Sequence, residues 1–364
     1  MNTLLVPRKA LISVAFALAV SFSSAAAQDR VIGWGSQVFD SAWPAEAFVE
    51  IAAGGSHTAA LRADGTVATW GDNAFGQCMT PTPPPGERFV ALTAGWYHTL
   101  ARVSDGSVMA WGNDFYGQCN LPVPQPGETC VGIAAGLYHS LLLDSDGTIA
   151  AIGYNNHGQC SVPPLPTGTT YVEIAAGIYH SVARLSDGSI VAWGWNNWQQ
   201  CDVPALPDSV TYVEVVAGEY HNLARRSDGV VVAWGYNSDG QCDVPVLPAG
   251  LSYTALSAGG YTSAARLSDG SYILFGDDSY GQASLPVPAA GSSFVQVKPG
   301  WRHTAGLRSD GRVIAWGRNF ELQCSVPVPE PSLSFTQATA GFGSNAALQQ
   351  DGSMLCFGRN DHGQ

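Results

Sequence analysis

The sequence predicts an all-β fold: a β-propeller of about eight four-stranded blades, one per 41-residue repeat, closed by pairing of its N- and C-terminal segments. Three observations predict it. Asp-Gly pairs begin at Asp64, Asp105, Asp146, Asp187, Asp228, Asp269, Asp310 and Asp351, always 41 residues apart. A period of that size marks a solenoid, a propeller or an array. Between the pairs lie apolar runs of five to seven residues, bounded by Gly, Pro, Asn and Asp, with no sustained helical period. The composition agrees, since 42 glycines and only 12% charged residues suit a turn-rich β protein and not a disordered chain.

Taken in order, the first element is not part of the fold. Arg8 and Lys9 precede the apolar run Ala10 to Val20, and small residues follow up to "SAAAQ". That order is a secretory signal peptide, residues 1–27, with cleavage expected after Ala27. Residues 28–364 then form a single propeller domain, secreted or held in the periplasm or at the cell surface. No later stretch is apolar over a bilayer's depth, so no membrane association is expected after cleavage. The formal charge of −13 becomes more negative when Arg8 and Lys9 leave. A polyphosphate backbone would be repelled, so nucleic acid is not the expected partner.

Each unit opens with a strand such as "VEIAAG", passes two variable residues and returns as "HSVAR". Ser-Asp-Gly turns the chain, because Gly accepts the positive φ the hairpin needs. A third strand, "SIVAWG", leads into a polar loop "xNxxGQ", and "QCDVP" reads as a fourth strand before a Pro-rich connector. One such sheet cannot cover both of its faces, whereas a ring of them covers every face and leaves only short edges. The last unit stops one residue short of where the next Cys would fall. Val31 to Asp40, which carries a Trp-Gly pair with no strands before it, is expected to supply the missing strand and clasp the first blade to the last.

Two arrays invite a chemical reading. His57, His98, His139, His180, His221 and His303 share one repeat position, with Thr262 and Ser344 in the other two places. Zinc needs about four ligands converging at roughly 2.0–2.1 Å, and a ring holds equivalent residues apart. The expectation is a structural bolt that opens an inner strand and bonds backbone near the "AAG" turn. Cys78, Cys119, Cys160, Cys201, Cys242 and Cys324 also share a position, with Ala283 in the remaining slot. Disulfides suit an exported protein, yet equivalent positions rarely approach the ~7 Å that a bridge requires. Free, buried thiols are expected, Cys130 and Cys356 standing outside the array.

"DSDG" at Asp144 to Gly147 lacks the downstream acidic ligand of a calcium loop. Neither a Gly-x-Ser-x-Gly elbow, a His-Glu-x-x-His nor a P-loop occurs. Nearly every polar group has a copy in the next unit, so no catalytic residue, metal ligand or cofactor is assigned. Arg102, Arg184, Arg225 and Arg266 stand where other units place Leu. Their stems are expected on the core side with the heads snorkelling to the rim, an anion site being the sharper alternative.

"IAAGGSHTAAL" (Ile51 to Leu61) and "IAAGLYHSLLL" (Ile133 to Leu143), followed by "AWG.N..GQ", resemble the regulator-of-chromosome-condensation repeat. The resemblance covers almost the whole mature chain and implies a propeller, though members of that type usually have seven blades. It also implies, by analogy only, a guanine-nucleotide-exchange-type regulator. The compact repeat with a signal peptide and "GQCxVP" is more similar to secreted bacterial propellers, among them a propeller-type β-lactamase inhibitor protein. That comparison implies protein binding through loops on one face.

Strand parity puts the two residues after "AAG" and the four after "WG" on one face, with the nearly constant Asp-Gly turns on the other. The first of these loops varies through Trp96, Glu219 and Trp301, and the second displays Phe115, Tyr116, Trp195, Trp198, Tyr280 and Phe320. The Tyr that often follows the first variable residue recurs so regularly that it reads as packing. Variable aromatics on a rigid ring form a binding platform. The expectation is therefore a secreted, non-catalytic, monomeric propeller that binds a protein partner through these nine residues, as an inhibitor. A carbohydrate- or cell-surface-binding module is the alternative. Flat, parallel Trp195 and Trp198 rings would favour sugar, and a broad aromatic plateau would favour protein.

Overall fold

The computed structural model describes residues 31–33, 48–319 apart from positions 56, 63, 123–126, 289 and 311–312, and then 334–341, 344–351 and 354–358. Residues 1–27, expected above to be a signal peptide, lie outside the described residues. Each repeat folds as one antiparallel sheet. In the fourth unit the strands are Tyr171–Ala176, His180–Leu185 and Ile190–Gly194. Ile174 lies opposite Ala183, and His180 lies opposite Gly194. The turn between the second and third strands works as its residues dictate. Gly188 sits at φ 81°, and Asp187 Oδ1 accepts the N–H of Ser189 at 2.9 Å and its hydroxyl at 2.7 Å.

Eight such sheets form, not seven. Their inner strands are Phe48–Ala53, Phe89–Ala94, Cys130–Ala135, Tyr171–Ala176, Tyr212–Ala217, Tyr253–Ala258, Phe294–Pro299 and Phe335–Ala340, and the sheets are numbered here as blades one to eight in that order. Each inner strand packs beside the next, and the eighth packs beside the first, so the blades close a ring. Val31–Gly33 joins the last blade, pairing in parallel with Met354–Gly358 through Val31 and Met354. This is the clasp expected of Val31 to Asp40, carried by its first three residues; positions 34–40 lie outside the described residues.

The core lies between blades. Leu141 and Leu143 of blade three pack with Tyr171, Leu185 and Trp193 of blade four. Val182 and Ile190 of blade four pack with Tyr212, Val215 and Trp234 of blade five. Such a side chain gains roughly 1.5–3 kcal/mol from burial, and it gains it only when the neighbouring unit is in place. That is the physical reason the repeat is not autonomous.

One expectation fails. The "QCxVP" segment forms no fourth strand, and among the described residues the blades have three, except for the eighth with its clasp. Side chains take the backbone groups that a ladder would use. After blade four, Gln200 O accepts the Trp234 indole N–H at 2.9 Å and the Asn222 amide at 2.8 Å. The Cys201 N–H goes to Asn196 Oδ1 at 2.7 Å, and Pro204 has no N–H to offer. The segment is pinned to blade five by these bonds and needs no strand.

Candidate functional site

The histidines and glutamines build the frame that carries the loops. Every described histidine of the array is fully buried, and its Nε2 meets a side chain of the next blade. The pairs are His57–Thr99 at 2.7 Å, His98–Ser140 at 2.9 Å, His139–Ser181 at 3.1 Å, His180–Asn222 at 2.9 Å, His221–Ser263 at 2.9 Å and His303–Asn345 at 2.9 Å. The bolt is real, but its partner is a neighbouring side chain and not the backbone of its own turn. Ser140 donates its hydroxyl proton to Gln118 O at 2.8 Å, so its oxygen is left to accept and the proton of His98 stands on Nε2. Burial pushes the imidazoles down, to about 3 for His98, His139 and His221 and about 4 for His57 and His180. They are neutral at any ordinary pH, and no group of metal-ligating side chains exists among the described residues.

The glutamine of "GQ" fixes the tip of each outer loop. Gln77, Gln118, Gln159, Gln200 and Gln282 have no exposed surface. Their Oε1 atoms accept the backbone N–H of Phe75, Tyr116, His157, Trp198 and Tyr280 at 2.9–3.1 Å. The displayed side chain differs from blade to blade while its backbone is held alike.

What the frame presents is a continuous aromatic arc. Phe75 meets Tyr97 at 5.9 Å between ring centroids, and Tyr97 stacks on Tyr138 at 5.6 Å. Tyr116 bridges Tyr138 and Tyr154 at 5.2 and 4.8 Å. The line continues through Tyr179, Trp195, Tyr220, Tyr236 and Tyr261. It ends on a cation, the Arg302 guanidinium lying 5.3 Å from the Tyr261 ring and 5.0 Å from that of Trp301. Phe115 is 82% exposed, Phe75 51%, Trp198 44%, Tyr116 41% and Tyr280 39%, so the arc's outer row faces solvent. The regular tyrosines do pack, as expected, but they also form the arc's inner row. Tyr154, His157, Tyr236 and Arg302 belong to it as well; the first three stand at the first or last place of a "WG" loop, and Arg302 takes the place where other units carry the regular Tyr.

Trp96, Glu219 and Trp301 stand apart from the outer row. With Leu137 and Ile178 they ring the mouth of the central channel, a cavity of about 180 Å³. Trp96 joins the two rows through Tyr97 at 6.3 Å. Glu219 is the acidic member of this ring; loss of solvent pushes its carboxyl up to about 8 against the pull of Arg302. Trp195 and Trp198 meet edge-on, 6.4 Å apart and 84° between planes, so they do not form a flat pair. Of the nine expected residues, Phe320 lies outside the described residues, and the other eight are placed at the mouth or in the loop row around it.

The remaining arrays are structural. Cys78, Cys119, Cys130, Cys160, Cys201 and Cys242 are free thiols, and five of them donate to the carbonyl six residues earlier at 3.4–3.5 Å. The array thiols are half-buried where full burial was expected. Cys324 lies outside the described residues. Arg184 and Arg225 bond Glu173 and Glu214 of their own blades at 2.8 and 2.9 Å, and Arg102 donates to Val131 O at 3.0 Å. Among the described residues only Arg184 and Arg225 of the four are thus ion-paired, while Arg266 Nε is buried with no hydrogen-bond partner.

Family comparison agrees with this frame. The model of the regulator of chromosome condensation (RCC1) repeat matches residues 48–77, 89–118, 130–159, 171–198, 212–241 and 294–323. The chain is a propeller of RCC1 repeats. Each matched segment starts at the first residue of a blade's inner strand, and four of them end on a loop-holding glutamine, Gln77, Gln118, Gln159 or Gln241. The two units without a match are those in which Thr262 and Ser344 replace the histidine bolt. Among solved structures, the CRINKLY WD40 ectodomain of the Arabidopsis thaliana receptor kinase ACR4 is 20% identical, covering 86% of this chain and 96% of its own, with a TM-score of 0.52. Prp20p from Saccharomyces cerevisiae, described with its binding to Gsp1p and histones, is 22% identical over 81% of this chain and 80% of its own, with a TM-score of 0.51. The same yeast protein is similar in its structure with Kap60, at 22% identity over 81% of this chain and 78% of that one, TM-score 0.51. At these identities the likeness is one of fold. No curated protein sequence matches the chain.

Proposed function

We propose that this RCC1-repeat propeller is a secreted, non-catalytic protein that docks a protein partner on its aromatic loop face and acts by covering it, as an inhibitor does. The observation that carries the reading is the arc itself: aromatic rings in unbroken contact from Phe75 to Tyr261, tipped by exposed Phe115, Tyr116 and Trp198. Interfaces concentrate their energy in such rings, with hot spots of about 2 kcal/mol or more. Fixed loop backbones lower the ordering cost of association. The edge-on meeting of Trp195 and Trp198 speaks against a sugar platform, because stacking on a pyranose needs a flat, uncovered ring face. Prp20p and its bound Kap60 are precedents for protein binding in this fold, and an exchange-factor role is not carried over from them.

The test is recovery of partners from culture medium on the immobilised mature chain, beside a Phe115→Ala, Tyr116→Ala, Trp198→Ala variant. The reading expects the variant to lose the partner while keeping its unfolding midpoint. Equal recovery by both proteins would discard the loop face as the docking surface.

A further inference from the structure

The chain has only two lysines, Lys9 and Lys298, and the second stands inside the central channel. Below the mouth the channel widens into a cavity of about 440 Å³, lined by Lys298, Gln296, Thr93, Ser257 and Thr339 among others. Ala94, Ala217, Ala258, Pro299 and Ala340 line both this cavity and the mouth, so the two are one passage open at the loop face. At the register of Lys298 the other blades place uncharged residues, including Ala52, Val216 and Ser257.

Nothing in the wall neutralises the ammonium by contact. Among the described residues no hydrogen bond or ion pair reaches it. The carboxylate whose field it feels, Glu214, is already committed to Arg225 Nε at 2.9 Å and to the N–H of Leu256 at 3.0 Å. Gln296 spends its carbonyl on the N–H of Ala338 at 2.9 Å, which leaves its amide hydrogens as donors toward the cavity. Half-buried in the channel wall, the ammonium has no opposite charge in contact with it, and an anion entering the channel would supply one. A water molecule occupies about 30 Å³, so the cavity has room for a small anion with several waters.

We propose that the channel is a binding site for a small oxyanion, of carboxylate or phosphate type, with Lys298 as its cation and the Gln296 amide and the hydroxyls of Thr93, Ser257 and Thr339 as further donors. The site is independent of the docking reading, since it lies within the ring and uses none of the arc's side chains.

Calorimetric titration of the mature protein with inorganic phosphate, and separately with malonate, tests it at low ionic strength. One saturable site is expected with at least one of the two. Lys298→Met should weaken that site by about tenfold or more, while Lys298→Arg keeps it. Amine modification read by mass spectrometry gives a second measure, because Lys298 is the only lysine beyond residue 9 and a bound anion should protect it. The proposal falls if neither anion saturates, or if Lys298→Met, with an unchanged unfolding midpoint, binds as well as the parent. Loss of protein-partner recovery in Lys298→Met without any anion binding would overturn it too, assigning the lysine to docking. Normal partner recovery with lost anion binding supports it and leaves the docking reading intact.

Discussion

His98 Nε2 lies 2.9 Å from Ser140 Oγ, forty-two positions later and one blade away, and both side chains are fully buried. Ser140 passes its own proton to Gln118 O at 2.8 Å. Gln118 in turn holds the backbone N–H of Tyr116 at 3.0 Å. Through Gln118 these hydrogen bonds connect the bolt between two blades to an exposed side chain on the loop face. Removing either end of the bolt strands a buried polar group. Ser140→Ala should cost about 1–3 kcal/mol and His98→Ala about 2–4 kcal/mol, the larger loss including a cavity. Denaturant unfolding of both single variants and the double variant checks it. A coupling energy indistinguishable from zero would show that the pair bears no energy in common.

The repeat, the hairpin turns and the closed ring were legible because each rests on a local rule: Asp-Gly every 41 residues, short apolar runs bounded by turn residues, and a unit too small to stand alone. The partner of His98 was not legible, since Ser140 looks like any Ser after a histidine until the neighbouring blade is placed. The supposed fourth strand misled for a related reason. "QCDVP" has strand composition, but its backbone groups answer to Trp234, Asn222 and Asn196. The mouth and loop residues were readable from variation between units. The arc was not, because Tyr97, Tyr138 and Tyr179 are regular in sequence and gain their second role only by touching Phe75, Tyr116 and Trp195 in turn.

Acid should loosen the ring before its carboxylates are protonated. The folded pKa values of His57, His98, His139, His180 and His221 are pushed down to about 3–4, from 6.5. A base with a lowered folded pKa favours the unfolded chain as protons become available. Its stabilising share is therefore complete above pH 6.5 and is lost as pH falls toward 4 and 3. Each such group contributes a slope of about 1.4 kcal/mol per pH unit in that window. Unfolding free energies at pH 7, 6 and 5 should fall with an uptake of two or more protons. The turn aspartates Asp105, Asp187 and Asp269 act the same way, but only below 3.8. A flat profile from pH 7 to 5 would contradict the neutral bolts.

Glu219 should tilt the profile in the opposite sense. Its carboxyl is pushed up to about 8 by the channel mouth, so the folded chain holds a proton that the unfolded chain releases above 4.5. Its share of stability is present below pH 4.5 and is lost as pH rises through about 8. Glu219→Gln removes that dependence. The variant should match the parent at pH 4 and exceed it at pH 9 by on the order of 2 kcal/mol, less than the full pKa gap implies because the mouth opens to solvent. Equal midpoints at pH 9 would refute the assignment.

The array thiols should be silent in the native state. Burial pushes Cys78, Cys119, Cys160, Cys201 and Cys242 up to about 12, and thiolate is the form that reacts. A disulfide-exchange reagent at pH 8 should therefore label the folded protein slowly and the unfolded protein at once. Substitution of any one of them by Ala should cost less than about 1.5 kcal/mol, as Ala283 already fills the equivalent place. Fast labelling of the folded chain would mean that these sulfurs are not held as the hydrogen bonds to Asp72 O, Asn113 O and their counterparts require.

The glycine before the channel mouth gives the sharpest test of how tightly the blades meet. A Cβ on Gly95 would lie 2.4 Å from Gly136 O in the next blade and 2.6 Å from His98 Cε1. Neither neighbour can yield: one is backbone at the ring's centre, and the other is held by Ser140. Gly95→Ala should therefore destabilise by about 3 kcal/mol or more, through overpacking and the broken bolt together. Gly86 is the control. It sits at φ 88° in a connector with nothing near its added methyl, so Gly86→Ala carries only the backbone penalty of about 1–2 kcal/mol. If thermal unfolding ranks the two the other way round, the blades do not approach one another at the Gly95 turn as closely as a closed ring of eight demands.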